Sequence, residues 1–400
     1  MFEQLQAVPA DPILGLTEAF NQDPNPNKVN LGVGIFKDSE GRTPTLKTVL
    51  TAQKRFVDAG AAMTYLPILG APAYGKLVAE LVLGRDSELL KAGRTVTAHT
   101  PGGTGALRVA ADLLASQGPK PTVWMSTPTW ANHGAIFSAA GLATKGYPYF
   151  EPKHQGLDID AMCAALAQTG PSDVVLLHAC CHNPTGIDPT LDQWHRLAEV
   201  QKERGFVPLF DFAYQGFATD LEADAAGLRA LAGAKEMLIA SSFSKNFGLY
   251  NQRTGALTLV GSNADTTRIA AGHLSRAIRA NYSNPPAFGG ALVTTVLSDP
   301  ELRAEWEQEV VAMRSHIHTM REAMVAGLRA AGAGRDFGFL AKQRGMFSFS
   351  GLSDEQVDRL RERYGIYVVK GGGRMNVAAV TPDKVTYICN AIAEVLRAAA

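Results

Sequence analysis

Four cysteines in 400 residues are too few and too scattered for a disulfide-built scaffold. They are Cys163, Cys180, Cys181 and Cys389, and none has the spacing of a zinc site; the adjacent pair sits in an apolar run. This usage reads as a chain kept in the reducing cytoplasm. An excess of one charge is also missing. The 38 Lys plus Arg balance 38 Asp plus Glu, so no long-range pull toward nucleic acid or an anionic membrane is expected. No uninterrupted apolar run reaches the length of a membrane span. The opening MFEQLQAVPADP has no basic stretch and does not read as a secretory leader. Low-complexity linkers and repeats are lacking too. The chain does have apolar residues at 46% and charged residues at 19%, enough for a large buried core and two or three folding units. Small-molecule chemistry is the class left standing.

Residues 1–12, with Pro9 and Pro12, read as an extended arm. The middle of the chain alternates apolar strand-like runs (94–99, 123–125, 174–178, 207–210, 237–240) with helical stretches such as 106–116 and 191–204. That alternation predicts an α/β domain with a largely parallel sheet, whose ligands bind beyond the strands' carboxyl ends. Residues 301–330 carry Trp306, Val310, Met313, Ile317, Met320, Met324 and Leu328 at three- and four-residue steps, a core-facing helical stripe on a helix long enough to bridge two domains. Strand-like runs at 346–350 and 366–369 and a final helix then suggest a smaller α+β domain.

The polar residues just past those strands carry the chemistry. TPGGTGAL, residues 100–107, sets glycines and Thr104 at a helix start, where free N–H groups face an anion. No lysine follows the glycines, so this is not a Walker loop, and a tight structural turn explains it equally well. In SSFSKNFGLYNQR, residues 241–253, Lys245 stands among serines, and Arg253 offers a fork of donors suited to phosphate. Alone, Lys245 reads as a solvated loop lysine. Asp211 in PLFDFAYQGF ends an apolar run; a carboxylate there needs a partner, and a protonated ring nitrogen or a cap of the next segment would serve. Tyr214 lies three residues on. In HNPTGIDPT, the prolines and Gly186 make a fixed turn, which leaves Asn183 beside His182 at a strand end.

Together, SSFSKNFGLYNQR, HNPTGIDP, DFAYQGF and PGGTGALR resemble class I pyridoxal-phosphate aminotransferases of the aspartate and aromatic amino-acid branch. The resemblance runs from ADPILGL at 10–16 to RMNVAAV at 374–380. It implies an α/β, fold-type I homodimer with shared active sites. The large domain (45–310) would carry a mostly parallel seven-stranded sheet; 13–44 and 311–400 would form the small α+β domain. It also implies residue roles. Lys245 holds pyridoxal phosphate covalently and later shuttles a proton. Asp211 pairs with the ring nitrogen, supported by His133. Tyr214 and Asn183 reach the phenolic oxygen and lower the proton affinity of the lysine–cofactor linkage. Trp130 stacks on the ring. Gly103, Thr104, Ser242, Ser244 and Arg253 hold the phosphate, with Tyr65 reaching it from the partner subunit. Arg374, with Gly34, Trp130 and Asn183, binds the substrate α-carboxylate. Arg279 meets a distal carboxylate in the neighbouring subunit; without the resemblance it reads as a solvated helix arginine. Amino acids and keto acids are the implied substrates, with no nucleic acid, membrane or metal.

The branch is mixed. NPTGIDPT and SKNFGLYN resemble aspartate-specific members, whereas YLPILG and PPAFG, with Phe288, resemble aromatic ones. Ile13, Leu14, Ile35 and Phe36 offer apolar surface for an aromatic side chain. Dual use is therefore expected. A decarboxylase or β-lyase would share Lys245 and Asp211 but not the paired arginines. A sensing domain of a transcription regulator would need an N-terminal DNA-binding domain, and ADPILGL already begins at residue 10.

Overall fold

The computed structural model describes residues 1–7 and 13–398, with the Leu14 side chain outside the described set. The arm expected over 1–12 therefore falls partly outside it. The chain divides into two compact units. One comprises Pro44–Asn183 and Ile187–Arg314; the other comprises Met1–Thr43, Pro184–Gly186 and Ser315–Ala400.

The first unit is built on seven strands: β1 (Thr95–Pro101), β2 (Thr122–Thr127), β3 (Ala143–Pro148), β4 (Val174–His178), β5 (Val207–Phe212), β6 (Met237–Ser242) and β7 (Thr254–Val260). Their spatial order is β1-β7-β6-β5-β4-β2-β3. Only β7 runs antiparallel to its neighbours, so the sheet is the mostly parallel, seven-stranded one that the resemblance implied. The central strands open on continuous apolar runs, as strands buried on both faces do, and turn polar at their carboxyl ends. VVLLH of β4 and MLIASS of β6 are buried at every residue. Helix α1 (Gly102–Ala115) follows β1 directly, and its Leu107, Ala110 and Ala111 share one core with Leu176, Leu209, Leu238 and Leu257. Helix α2 (Leu191–Arg204) starts on a Thr190–Gln193 capping box and stops at Gly205, whose φ of 75° suits a residue without Cβ. Helix α3 (Ala264–Asn281) starts on Asn263, whose side chain accepts from the Thr266 N–H.

Helix α4 (Pro300–Ala330) spans both units in sequence, with the division after Arg314. Its stripe from Trp306 to Leu328 is buried at all seven positions, as expected of a core face. In the second unit, Phe347–Leu352 pairs antiparallel with Gly372–Asn376, and Val29–Asn30 pairs parallel with Ile366–Tyr367. The core there joins Met320, Met324 and Leu328 to Leu360, Ile388 and Ile392. The buried Arg321 guanidinium is neutralised by dipoles: it donates to the carbonyls of Leu340, Gly345 and Phe347 at 3.0, 2.7 and 2.7 Å, and to the Ser348 hydroxyl. Among the described residues, no helix is long and apolar enough to cross a membrane.

Several strand ends differ from the sequence reading. The strands expected to end at 99, 210 and 240 continue to Pro101, Phe212 and Ser242. Backbone pairing carries them on through polar residues, as in Thr254↔Pro101, Phe212↔Ser241 and Gly255↔Ser242. Asp211 therefore lies inside a strand rather than at its end. The helix expected from 106 begins at Gly102, so the glycine pair is its first turn. The run 366–369 is a strand only over Ile366–Tyr367.

Candidate functional site

In the first unit, the carboxyl ends of β4, β5 and β6 bring Lys245, Asp211 and Tyr214 together. The Asp211 carboxylate is buried, in register with His178 across β4 and with Ala240 across β6. Burial alone would push its pKa up. The hydrogen bond from His133 Nε2, at 3.1 Å, together with the electrostatic influence of the His133 and His178 rings and, least, of Lys245, outweighs that and holds it below the ordinary carboxylate range. With Nε2 donating to Asp211, the other ring nitrogen, Nδ1, lies 2.8 Å from the Thr129 hydroxyl. Asp211 therefore does not cap the segment after it: its partner is a fully buried histidine seventy-eight residues earlier.

Lys245 sits in a tight turn after β6, with Nζ 4.8 Å from the centre of the Tyr214 ring. Trp130 packs edge-on against the His133 ring, with centroids 5.2 Å apart. Asn183 is buried at the end of the turn after β4; Asp188 shapes that turn by accepting the N–H groups of Cys181 and His182 at 2.7 and 2.9 Å.

The start of α1 forms the other side. Gly102 has φ +73°, and a Cβ on it would lie 2.5 Å from Arg253 Nη2. A Cβ on Gly103 would lie 3.2 Å from the Ser242 Cβ. The Ser242 hydroxyl donates to Ser244 Oγ at 3.1 Å, and Arg253 Nη1 donates to Ser244 Oγ at 3.3 Å. Gly103, Thr104, Ser242, Ser244 and Arg253 are thus grouped around one helix N-terminus. Free N–H groups, hydroxyls and a guanidinium make a cradle for an anion, which a side chain at Gly102 would fill. An ionised buried carboxylate, a lysine over a phenol ring and an anion cradle fit the ring, aldehyde and phosphate of pyridoxal phosphate.

Tyr65 and Arg279 lie apart from this group and face solvent; Tyr65 is 92% exposed, and Arg279, in the last turn of α3, donates to the Ser283 hydroxyl. In the second unit, Gly34 and Arg374 meet at Phe347. A Cβ on Gly34 would lie 2.8 Å from the Phe347 ring, and the Arg374 guanidinium lies 4.2 Å from the ring centre while donating to the Gly32 carbonyl. Phe36 is buried edge-on against His316, with ring centroids 5.5 Å apart.

Sequence reasoning missed His178 and the depth of its setting. Its ring lies 5.3 Å from His133 and 4.2 Å from His182, and burial pushes its pKa down to about 3. His182 is also held neutral by burial, stacked on Tyr149 and joined to the Ser126 hydroxyl at 2.9 Å. The only hint was a histidine ending an otherwise apolar strand.

The family model for aminotransferase class I and II matches residues 26–392. The aspartate aminotransferase of Salmonella typhi is 53% identical over 397 residues, covering 99% of this chain and all of that one. The aromatic-amino-acid aminotransferase of Pseudomonas aeruginosa strain PAO1 is 44% identical over 395 residues, covering 98% of each. The crystal structure of an aromatic-amino-acid aminotransferase from Burkholderia pseudomallei, covalently bound to pyridoxal phosphate, superposes with a TM-score of 0.96 at 50% identity and 99% coverage of both chains. The chain belongs to the class I and II aminotransferase family, and the protein is an aminotransferase.

Proposed function

We propose that this enzyme uses pyridoxal phosphate on Lys245 to move the amino group of aspartate and of aromatic amino acids to 2-oxoglutarate, giving glutamate and a keto acid in two half-reactions at one site. The observation that carries this is the Asp211–His133 pair: a buried carboxylate kept ionised, on the strand next to the Lys245 turn.

The cofactor supplies the electron sink. The protein's own residues do the rest. Asp211 keeps its negative charge beside the ring nitrogen and so holds a proton there, while His133 keeps the carboxylate oriented. Lys245 Nζ would take the proton from the substrate Cα and deliver it to the cofactor's C4′. Tyr214 and Asn183 hydrogen-bond the phenolic oxygen, and Trp130 covers the ring. Gly103, Thr104, Ser242, Ser244 and Arg253 would hold the phosphate. Arg374 receives the α-carboxylate, with Gly34 leaving room beside it.

The exposure of Tyr65 and Arg279 favours a homodimer in which each completes the partner's site, Tyr65 at the phosphate and Arg279 at the distal carboxylate of dicarboxylic substrates. Relatives named for aspartate and for aromatic amino acids match along nearly the whole chain, which favours dual use. The four cysteines, none of them in a disulfide, favour the cytoplasm. A coupled assay with 2-oxoglutarate against aspartate, tyrosine and phenylalanine tests the reading. Turnover with aspartate and at least one aromatic donor is expected; release of carbon dioxide or ammonia without 2-oxoglutarate would overturn it.

A further inference from the structure

The stripe on α4 reads as core packing, yet one part of it does more. Trp306, Val310 and Arg314 stand at four-residue steps, on one face over about 12 Å of helix. Trp306 Nε1 donates to the Asn246 carbonyl at 2.7 Å, in the turn that carries Lys245, and its ring stacks on Phe247 with centroids 4.5 Å apart. Arg314 Nη1 donates to the Gly216 carbonyl at 2.7 Å, in the loop that carries Tyr214. Val310 lies between them on that face. A Cβ on Gly216, where φ is +95°, would come 2.6 Å from Val310 Cγ1. The two loops are joined in turn, since Asn246 Nδ2 donates to the Gln215 carbonyl at 3.2 Å. Asp224 holds the far side of the Tyr214 loop by accepting the N–H groups of Gly216, Ala218 and Thr219.

We infer that Trp306 and Arg314 are positioning residues: α4 holds the Lys245 turn with one and the Tyr214 loop with the other, and so sets the lysine amine against the phenol. The inference rests on Lys245 being the cofactor lysine. Neither donor is among the residues proposed to hold substrate or cofactor. Each spends its side-chain N–H on a loop carbonyl, one residue from Lys245 and two from Tyr214. Water solvating either carbonyl would satisfy it equally well but would leave the loop free to shift. A displacement of about 1 Å at a reacting group costs on the order of 100-fold in rate. Such a displacement also alters how strongly the Tyr214 phenol opposes protonation of the lysine–cofactor linkage.

The test uses the holoenzyme with Arg314→Met, Arg314→Lys and Trp306→Phe. Met fills the space without a donor, Lys restores one, and Phe keeps the stack on Phe247 but loses the N–H. The readouts are the pH midpoint of the visible cofactor absorbance and the separate values of kcat and KM. Arg314→Met and Trp306→Phe are expected to raise the midpoint by about half a pH unit or more, because the phenol's influence weakens. They should lower kcat about tenfold to 100-fold, with KM changed less than about threefold. Arg314→Lys should recover most of the midpoint. Variants that melt at lower temperature but keep the wild-type midpoint and kcat would overturn the inference, because the face would then be packing alone. Lys245 is checked separately. If Lys245→Ala kept a borohydride-reducible link to the cofactor, the assignment of the lysine would fail whatever the α4 variants did.

Discussion

Replacing His133 by leucine removes the donor that keeps Asp211 ionised while leaving the carboxylate buried. The wild-type bond spans 3.1 Å between a fully buried imidazole and a largely buried carboxylate, and a hydrogen bond to a charged group contributes about 1.5–3 kcal/mol. Its loss raises the Asp211 pKa, because burial then acts with less opposition. In the wild type, the folded pKa is depressed, so the carboxylate stabilises the fold above the unfolded pKa and loses that contribution as pH falls through the folded value. In the variant, the folded pKa is depressed less, so this contribution shrinks. The assay is the pH profile of kcat/KM for transamination, with the thermal midpoint followed over the same range. The acid limb of the His133→Leu profile should move to higher pH and kcat should fall about tenfold to 100-fold, while His133→Asn, which keeps an N–H donor, should recover part of both. An acid limb that stayed in place would refute the reasoning, since Asp211 would then not depend on His133 for its charge.

Three further outcomes are expected. His99 is buried against Tyr74, with its pKa pushed down to about 4; the unfolded chain takes up this proton near pH 6.5, so stability should fall as pH drops from about 6.5 to 4, and His99→Leu should flatten that fall by about 3 kcal/mol in denaturant titrations. Gly102→Ala places a methyl 2.5 Å from Arg253 Nη2 at a φ of +73°, so cofactor affinity should weaken about tenfold or more in equilibrium dialysis; unchanged affinity would remove Arg253 from the anion cradle. Arg279→Ala should lower kcat/KM for aspartate and 2-oxoglutarate about 100-fold or more and spare the tyrosine half-reaction, and comparable turnover on all three would end the distal-carboxylate role.

The alternation of apolar runs with helical stretches made the sheet legible, because buried parallel strands leave a continuous apolar signature. Strand ends were not, because Ser241, Ser242 and Asp211 are polar yet still pair in the ladder. Polarity suggested a loop where backbone hydrogen bonding continued the strand. The grouping of Lys245, Ser244 and Arg253 was visible as one segment, since a turn after a strand keeps its residues close. What joins Asp211 to His133, or Arg314 to Gly216, is set by how β5, the helix Asn132–Ala139 and α4 pack. No local pattern encodes that packing. His133 entered only through the family resemblance, and Arg314 was overlooked beside Met313 because the stripe counts apolar residues and ignores donors.

The central claim is that Lys245 carries the cofactor. The direct measurement is borohydride reduction of the yellow holoenzyme, followed by digestion and peptide mass analysis. The expected result is a single modified peptide containing Lys245, with none recovered from the Lys245→Ala variant. A cofactor mass on another lysine, or a reducible link surviving in Lys245→Ala, would contradict the account.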